Sequence, residues 1–207
     1  MREGQPPKAF IFIGNHRCLD FINTQIARNG RPVDLLETFL DLVTWLAQAR
    51  LIGMEEAKKA KRQWGNQAEG RRTLDQARDF RATLREMVER IATGKTVPQA
   101  ALEAINGWLR HRVGYPQLTR RSGKFERGFQ SESQEASQFL GLLAESASDL
   151  LCESEFALIK KCQHPACVLY FYDTTKNHSR HWCSMSMCGN RMKVTEYYRR
   201  KRRTKGR

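Results

Sequence analysis

The 207-residue sequence contains no apolar run close to the roughly 20 residues that a membrane-spanning helix requires. Residues 1–8 contain no apolar core typical of a signal peptide. The sequence also lacks a phosphate-binding glycine loop and a recognisable nucleophile–base pair. These absences lead us to expect a cytoplasmic protein that has no membrane partner and is not an enzyme.

Acidic residues are almost missing from the C-terminal part of the chain. From residue 160 onward, thirteen lysines and arginines stand against two acids, Asp173 and Glu196. This stretch therefore carries a net charge of +11 out of the chain's +14. A concentrated cationic block favours a polyanion such as nucleic acid. The alternative is a solvated basic tail that only improves solubility.

Four of the six cysteines form two close pairs within this basic region. Cys162 and Cys167 are separated by four residues, as are Cys183 and Cys188, and fifteen residues lie between the pairs. Four thiolates in two pairs are the ligands that a tetrahedral structural zinc ion prefers. We predict that all four bind one Zn²⁺ in a closed site.

Three other interpretations of these cysteines are open. Reduced core cysteines are disfavoured because the surrounding segment is too polar to bury four free thiols. Two disulfides are disfavoured because they need an oxidising compartment. A nearby imidazole, from His164, His178 or His181, could also replace one thiolate as a ligand.

The residues around the cysteines resemble the CGNR zinc finger, a bacterial family named for the run at residues 188–191. The match includes the aromatic strand with its aspartate at 170–173, the Lys-Asn pair at 176–177, Arg-x-Trp-Cys-Ser-Met at 180–185 and Cys-Gly-Asn-Arg-x-Lys at 188–193. Members are described as transcription regulators with a nucleic-acid-binding finger. The resemblance therefore implies a regulator.

The N-terminal part resembles the ABATE domain, which precedes the finger in the same family. The family signature Leu-Asp-Phe-Val-Asn-Thr corresponds to residues 19–24, which read Leu-Asp-Phe-Ile-Asn-Thr. Asp20, Asn23 and Thr24 recur at helical spacing and can share one face. We interpret them as a hydrogen-bonding cluster that ties the first helix to its neighbours. The alternative is that they form a small polar pocket. An enzyme with an active site around Asp20, Asn23 and His16 is a disfavoured hypothesis.

Apolar periodicity predicts a mainly α (α+β) fold. An ABATE-like helical domain with a short strand and a β-hairpin spans residues 1–155, and a CGNR-type zinc finger with a basic C-terminal helix and tail spans residues 156–207. The predicted N-terminal elements are a strand at 8–13, helices beginning near 18 and at 35–50, 54–64, 71–93, 98–109 and 136–152, and a hairpin between 113 and 130. Helix caps are predicted at Asp34 and at residues 131–134.

Several side chains outside the finger are also assigned from the pattern. Arg78, Arg81 and Arg85 lie beside an apolar stripe and are expected to be solvated, although one of them could reach Asp20. Cys18 is expected to be a buried thiol, and Cys152 is also expected to be packed. In the finger, a strand at 168–172, the second cysteine pair and a helix at 192–203 predict a treble-clef-like or zinc-ribbon-like fold.

We predict that cationic and amide side chains of the finger contact nucleic acid. These residues are Lys176, Arg180, Asn190, Arg191, Lys193, Arg199, Arg200, Arg202 and Arg203. Most of them would contact phosphate. Arg180, Asn190 and Arg191 lie closest to the rigid zinc site and are therefore candidates for base edges. Asn177 and Asn190 are alternatively structural residues of the cysteine loops.

DNA is favoured over RNA as the partner. The N-terminal domain would then sense an unidentified small-molecule effector or form a homodimer. The RNA alternative uses the same finger surface, with base stacking on the tyrosines Tyr170, Tyr172, Tyr197 and Tyr198.

Overall fold

The computed structural model describes residues 9–121 and 123–205. Helices dominate these residues, and every sheet is a two-stranded antiparallel pair. The N-terminal elements are α1 (Arg17–Ile22), β1 (Gln25–Arg28), β2 (Arg31–Asp34), α2 (Phe39–Gln48), α3 (Met54–Trp64), α4 (Ala68–Ala92) and α5 (Gln99–Leu109). They are followed by β3 (Gly114–Arg121), β4 (Lys124–Ser131), α6 (Gln138–Glu153), β5 (Ile159–Lys161), β6 (Tyr170–Tyr172) and α7 (Asn190–Lys205). The mainly α fold with small hairpins is confirmed.

The first predicted strand is wrong. Residues 9–13 join no sheet, and Lys8 lies outside the described residues. The backbone here bonds to the finger: the carbonyl of Ile13 accepts from Arg180, and that of Gly14 accepts from the Tyr172 amide. Phe10 packs against the core in place of strand pairing. This apolar run therefore packs against the core and the finger without pairing with another strand.

Both predicted helix caps are also wrong. Asp34 ends β2, and α2 begins later, capped by Thr38, whose hydroxyl accepts from the Asp41 amide at 3.2 Å while the Asp41 carboxylate accepts from the Thr38 amide at 2.8 Å. This reciprocal pair is a capping box. The predicted box at residues 131–134 instead begins at the last residue of β4, and α6 begins only at Gln138.

Helix α4 forms the long support against which α1, α2, α3, α5, α6 and β5 pack. Its buried side chains recur at helical spacing and include Leu74, Phe80, Leu84 and Val88. Gly94, with φ of +72°, follows the helix end, where a left-handed residue terminates the hydrogen-bond ladder. None of the helices in residues 9–121 and 123–205 is both long and apolar enough to cross a membrane.

Three arginines beside this stripe, predicted to be solvated, are bound to protein groups. Arg81 forms an ion pair with Asp34 and donates to the Thr24 hydroxyl at 2.7 Å. Arg85 donates to carbonyls of α1, β1 and the finger, and Arg78 donates to the Leu36 carbonyl at 2.7 Å. Among the described residues, none of the three reaches Asp20. Their partners are remote in sequence, so the local pattern could not show them.

The two remaining cysteines differ from each other. Cys18 is buried, as predicted, and burial raises the pKa of its thiol to about 12. Cys152 is exposed, which contradicts the prediction that it is packed. It lies at the end of α6, where the helix has already left the core.

Candidate metal centre and nucleic-acid surface

The β5–β6 hairpin and the segment that follows it bring the four finger cysteines together. Cys162 follows the end of β5, and Cys167 precedes β6. Cys188 lies in a wide helical turn, Met185–Gly189, that continues directly into α7. Ser184 begins this turn because its hydroxyl accepts from the Met187 amide at 3.0 Å. A β-hairpin, a cysteine loop and a helix are the order of a treble-clef-like finger.

The positions of the sulfur atoms fit a tetrahedral metal site. All four Sγ atoms lie within 4.8 Å of one another. The Cys167–Cys183 separation is 3.8 Å, and the Cys183–Cys188 separation is 3.5 Å. Zinc–thiolate bonds of about 2.3 Å in a tetrahedron place sulfur atoms about 3.8 Å apart. The two measured separations are close to that value, so the four thiols are placed to bind one zinc ion.

Hydrogen bonds aimed at the sulfur of Cys162 favour its thiolate form. The Cys167 and Cys183 thiols, together with the backbone amides of Cys183 and His164, lower the pKa of the Cys162 thiol. The Cys183 amide lies 3.3 Å from the Cys162 Sγ. The thiolate is the form that binds metal. Hydrogen bonds to neighbouring sulfurs and burial raise the pKa of the other three thiols, so without metal Cys162 is the thiolate of this cluster. The nearby His164 imidazole instead accepts from the Ala166 amide at 3.2 Å.

A buried aspartate organises the loop between the two cysteine pairs. Asp173 is fully buried and accepts from the Lys160 ammonium at 2.7 Å, the Thr175 hydroxyl at 2.6 Å and the Arg180 amide at 2.9 Å. Burial opposes ionisation, but these donors hold the pKa of Asp173 below its ordinary value. The loop that leads to Cys183 is therefore fixed by a satisfied buried carboxylate.

The Arg180 side chain also binds protein groups around this loop. Its guanidinium donates to the carbonyls of Ile13, Trp182 and Cys183. It also lies over the Phe171 ring, 4.1 Å from the centroid. These donors therefore face protein carbonyls and give Arg180 a structural role, while its contact with nucleic acid stays a prediction.

Comparison with known families agrees with this geometry. Residues 159–201 match the CGNR zinc finger, and residues 15–154 match the ABATE model, described as "putative stress-induced transcription regulator". The chain belongs to the ABATE family. No curated protein matches it.

In this ABATE-family protein, the signature residues Asp20, Asn23 and Thr24 are all buried. Asn23 bonds both backbone groups of Tyr170: its amide donates to the carbonyl at 2.8 Å and its oxygen accepts from the amide at 2.9 Å. Asp20 accepts from the Gly14 amide at 2.7 Å. The signature therefore ties α1 to the segment before it and to the finger strand β6.

The structure contains one cleft that corresponds to the alternative of a polar pocket. Asp20 also lines a shallow surface cleft with His16 and Asp149. The His16 imidazole begins α1 by accepting from the Cys18 amide at 3.2 Å. Burial raises the pKa of Asp20 to about 6.

Helix α7 carries most of the predicted nucleic-acid contacts and projects from the metal site of the ABATE-family protein. Asn190, Arg191 and Lys193 are exposed in its first turns, and Met192 is half-buried. Lys176 is exposed on the Asp173 loop. The backbone of α7 includes Arg199, Arg200, Arg202 and Arg203, whose side chains lie outside the described part of the structure. The fold thus gathers Asn190, Arg191 and Lys193 beside the cysteines.

Sequence reasoning missed the β1–β2 hairpin, whose tip lies across a cleft from the start of α7. The signal was available, because an Asn-Gly pair at residues 29–30 is the strongest short-range hairpin signal. The short flanking segments lack the clear alternation that would have marked them as strands.

Proposed function

We propose that this ABATE-family protein is a zinc-dependent, DNA-binding transcription regulator and not an enzyme. The observation that carries the proposal is α7, a helix that stands on the four-cysteine site with nearly all of its described side chains exposed. A helix that is polar on all sides does not form core. Its lysines and arginines suit a polyanion that lies along it.

The proposal assigns one structural Zn²⁺ to Cys162, Cys167, Cys183 and Cys188. Four protein thiolates leave no open position for substrate or catalytic water. Zinc in such a site contributes folding free energy of roughly 10 kcal/mol in finger peptides. The thiolates fix the start of α7 relative to β5 and β6, so the cationic side chains of the first turns have a rigid base.

The metal assignment is tested by metal analysis of the purified full-length protein. We expect one zinc per chain and loss of zinc in Cys183→Ser. Cys152→Ser is the matched control, because Cys152 is an exposed cysteine outside the cluster. Full zinc content in Cys183→Ser would contradict the four-thiolate site.

The DNA assignment is tested by fluorescence anisotropy with duplex DNA over a salt series. Replacing Arg191 and Lys193 together by alanine should weaken binding about tenfold or more and reduce the salt slope by about 2, since each phosphate contact contributes about 0.9. The matched control removes two exposed arginines from α3 and α4, Arg62 and Arg72. Absence of duplex binding by the unaltered protein at low salt would overturn the proposal.

RNA binding is a second candidate, favoured by one observation. Tyr197 and Tyr198 are 54% and 58% exposed on α7, with ring centroids 5.5 Å apart. Exposed aromatic rings beside cations suit stacking on single-stranded bases. The other two tyrosines considered for this role are less available, since Tyr170 is buried and the Tyr172 hydroxyl accepts from the Glu155 amide at 3.4 Å.

The two candidates are separated by competition between duplex DNA and single-stranded RNA. Tighter RNA binding that is lost in Tyr197→Ala and Tyr198→Ala would favour the RNA-binding function. Tighter duplex binding that these substitutions leave unchanged would favour the DNA-binding regulator.

A further inference from the structure

The β1–β2 hairpin ends in a tight, cationic tip. Asn29 and Gly30 have φ of +51° and +75°, the two left-handed residues of a type I′ turn. Arg28 and Arg31 flank the turn as a directly opposed cross-strand pair. Both side chains are exposed. Opposed residues share one face of a hairpin, so both arginine side chains leave the tip from the same face.

Within the described residues, this pair of arginines has no neutralising partner. Within residues 9–121 and 123–205, neither guanidinium forms an ion pair or a hydrogen bond. Like charges directly opposite one another destabilise a two-stranded pair. An anion between or beside the two guanidinium groups would remove this repulsion.

The tip borders the same cleft as the metal centre. The cleft has a volume of about 620 Å³, and Arg28, Asn29 and Gly30 line one side. The other side includes His164 and Arg191. No acidic residue is among the lining residues in the described part of the chain. The cations that line the cleft, Arg28 and Arg191, therefore face no carboxylate there.

The hairpin is held in a fixed position relative to the finger. Ile26 of β1 is buried with the cysteines in one apolar cluster. The Arg85 guanidinium donates to the Gln25 carbonyl at 3.0 Å and to the Val168 carbonyl at 2.9 Å, which joins hairpin and finger through one side chain. A cationic tip fixed in this way can meet a rigid partner without a large ordering cost.

We propose that the β1–β2 hairpin is a second arm of the nucleic-acid surface, with Arg28 and Arg31 binding the phosphate backbone of duplex DNA across the cleft from Arg191. The inference rests on the proposed DNA-binding function. It assigns to the N-terminal part of the chain a direct role in DNA contact, beyond sensing or dimerisation. Phosphate is the expected target because most hydrogen bonds from arginines to DNA go to the phosphate backbone.

The test compares three variants of the full-length, zinc-loaded protein on one duplex over a salt series. Arg28→Ala/Arg31→Ala should bind at least about fivefold more weakly at low salt and lose about 2 from the salt slope. Arg28→Lys/Arg31→Lys should keep most of that slope, because the charge is retained. The control Arg62→Ala/Arg72→Ala removes the same charge from α3 and α4. Zinc content and thermal midpoint are measured for each, since a folding defect would lower them in the alanine and lysine variants alike.

Three results would overturn the proposed role of the β1–β2 hairpin. An affinity and slope in Arg28→Ala/Arg31→Ala equal to those of the control would overturn the hairpin role and leave the proposed function standing. A loss equal in the alanine and lysine variants, with reduced zinc content, would also overturn it, because packing and not charge would then be responsible. Failure of the unaltered protein to bind duplex DNA would overturn both proposals.

Discussion

Asn23 is the residue at which the helical part and the finger are joined most directly. It is 1% exposed, and both ends of its amide bond the backbone of Tyr170. A buried amide satisfied on both sides by one strand residue fixes the position of that strand. The family signature at residues 19–24 therefore encodes a connection between two parts of the chain as well as a turn of helix.

Asn23→Ala should lower the free energy of unfolding by about 2–4 kcal/mol, since it leaves a buried donor and a buried acceptor without partners. The measurement is urea denaturation of the zinc-loaded protein. Asn66→Ala is the control, because Asn66 is exposed and a surface change is expected to stay within about 0.5 kcal/mol. Equal stability of the two variants would show that the Tyr170 bonds do not hold the strand.

Asp20 makes the free energy of unfolding depend on pH. Burial raises its pKa from the ordinary 3.8 to about 6, although the Gly14 and Ile13 amides and the Arg180 charge act in the opposite direction. A carboxyl group with a raised pKa in the folded state stabilises the fold below its unfolded pKa. That contribution is lost as the pH rises through about 6.

The free energy of unfolding of the unaltered protein should fall by about 2–3 kcal/mol between about pH 4 and 6 because of Asp20. Asp20→Asn should not show this contribution. The amide oxygen of asparagine can still accept from Gly14, so the fold should persist. The measurement is the difference in unfolding free energy between the two proteins at each pH, which cancels the titration of other groups. A difference independent of pH would contradict the raised pKa.

At the scale of elements, the β3–β4 hairpin is the least supported part of the described chain. Leu118 and Phe125 are 68% and 69% exposed. Its attachment is at the base, where the Arg112 guanidinium lies 3.8 Å from the centroid of the Phe129 ring. An isolated two-stranded hairpin is marginally stable in water. Its outer half therefore adds little to the stability of the remaining fold.

Replacing residues 118–127 by a two-residue Asn-Gly turn should change the free energy of unfolding by less than about 1 kcal/mol. The base of the hairpin, with Phe129 and Gly114, is kept. The control is Phe129→Ala, which removes the ring beneath Arg112 and should cost more than the deletion. A large destabilisation by the deletion alone would show that the outer strands support the helices.

The elements that sequence could predict are those whose signals are local. The cysteine spacing, the apolar stripe of α4 and the β3–β4 hairpin each lie within one short stretch. The hydrogen bonds of Arg81 and Arg85 could not be predicted from the sequence, because their partners come from β2, α1 and the finger. Asp34 was misassigned for the same reason: a residue suited to a helix cap instead forms an ion pair with α4.

At the scale of the whole molecule, the helical part and the finger each bury side chains in the apolar cluster of the other. Ile159 and Tyr170 of the finger are buried in the main cluster with the helices. Ile26 and Leu35 of the N-terminal part are buried with the cysteines in the second cluster. Each part thus completes the apolar core of the other. A change at the metal site should therefore also change the stability of the helices.

Removal of zinc should therefore lower the thermal midpoint of the helices as well as that of the finger. Circular dichroism at 222 nm, followed during heating with and without a chelator, measures the helical signal, which comes mostly from the N-terminal helices. We expect one transition that moves to lower temperature without metal, because loss of a ligand that binds only the folded state destabilises everything that unfolds with it. Cys183→Ser should behave like the chelated protein, and Cys152→Ser should behave like the unaltered one.

An unchanged helical transition after chelation would mean that the finger unfolds alone. Ile159 and Tyr170 would then leave the main core at little cost to the helices. The Asn23→Ala variant separates these cases, since it weakens the joint without touching a metal ligand. If the parts are coupled, the chelator should shift its helical transition less than that of the unaltered protein. Equal shifts would place the coupling in the shared apolar clusters and not in the Asn23–Tyr170 bonds.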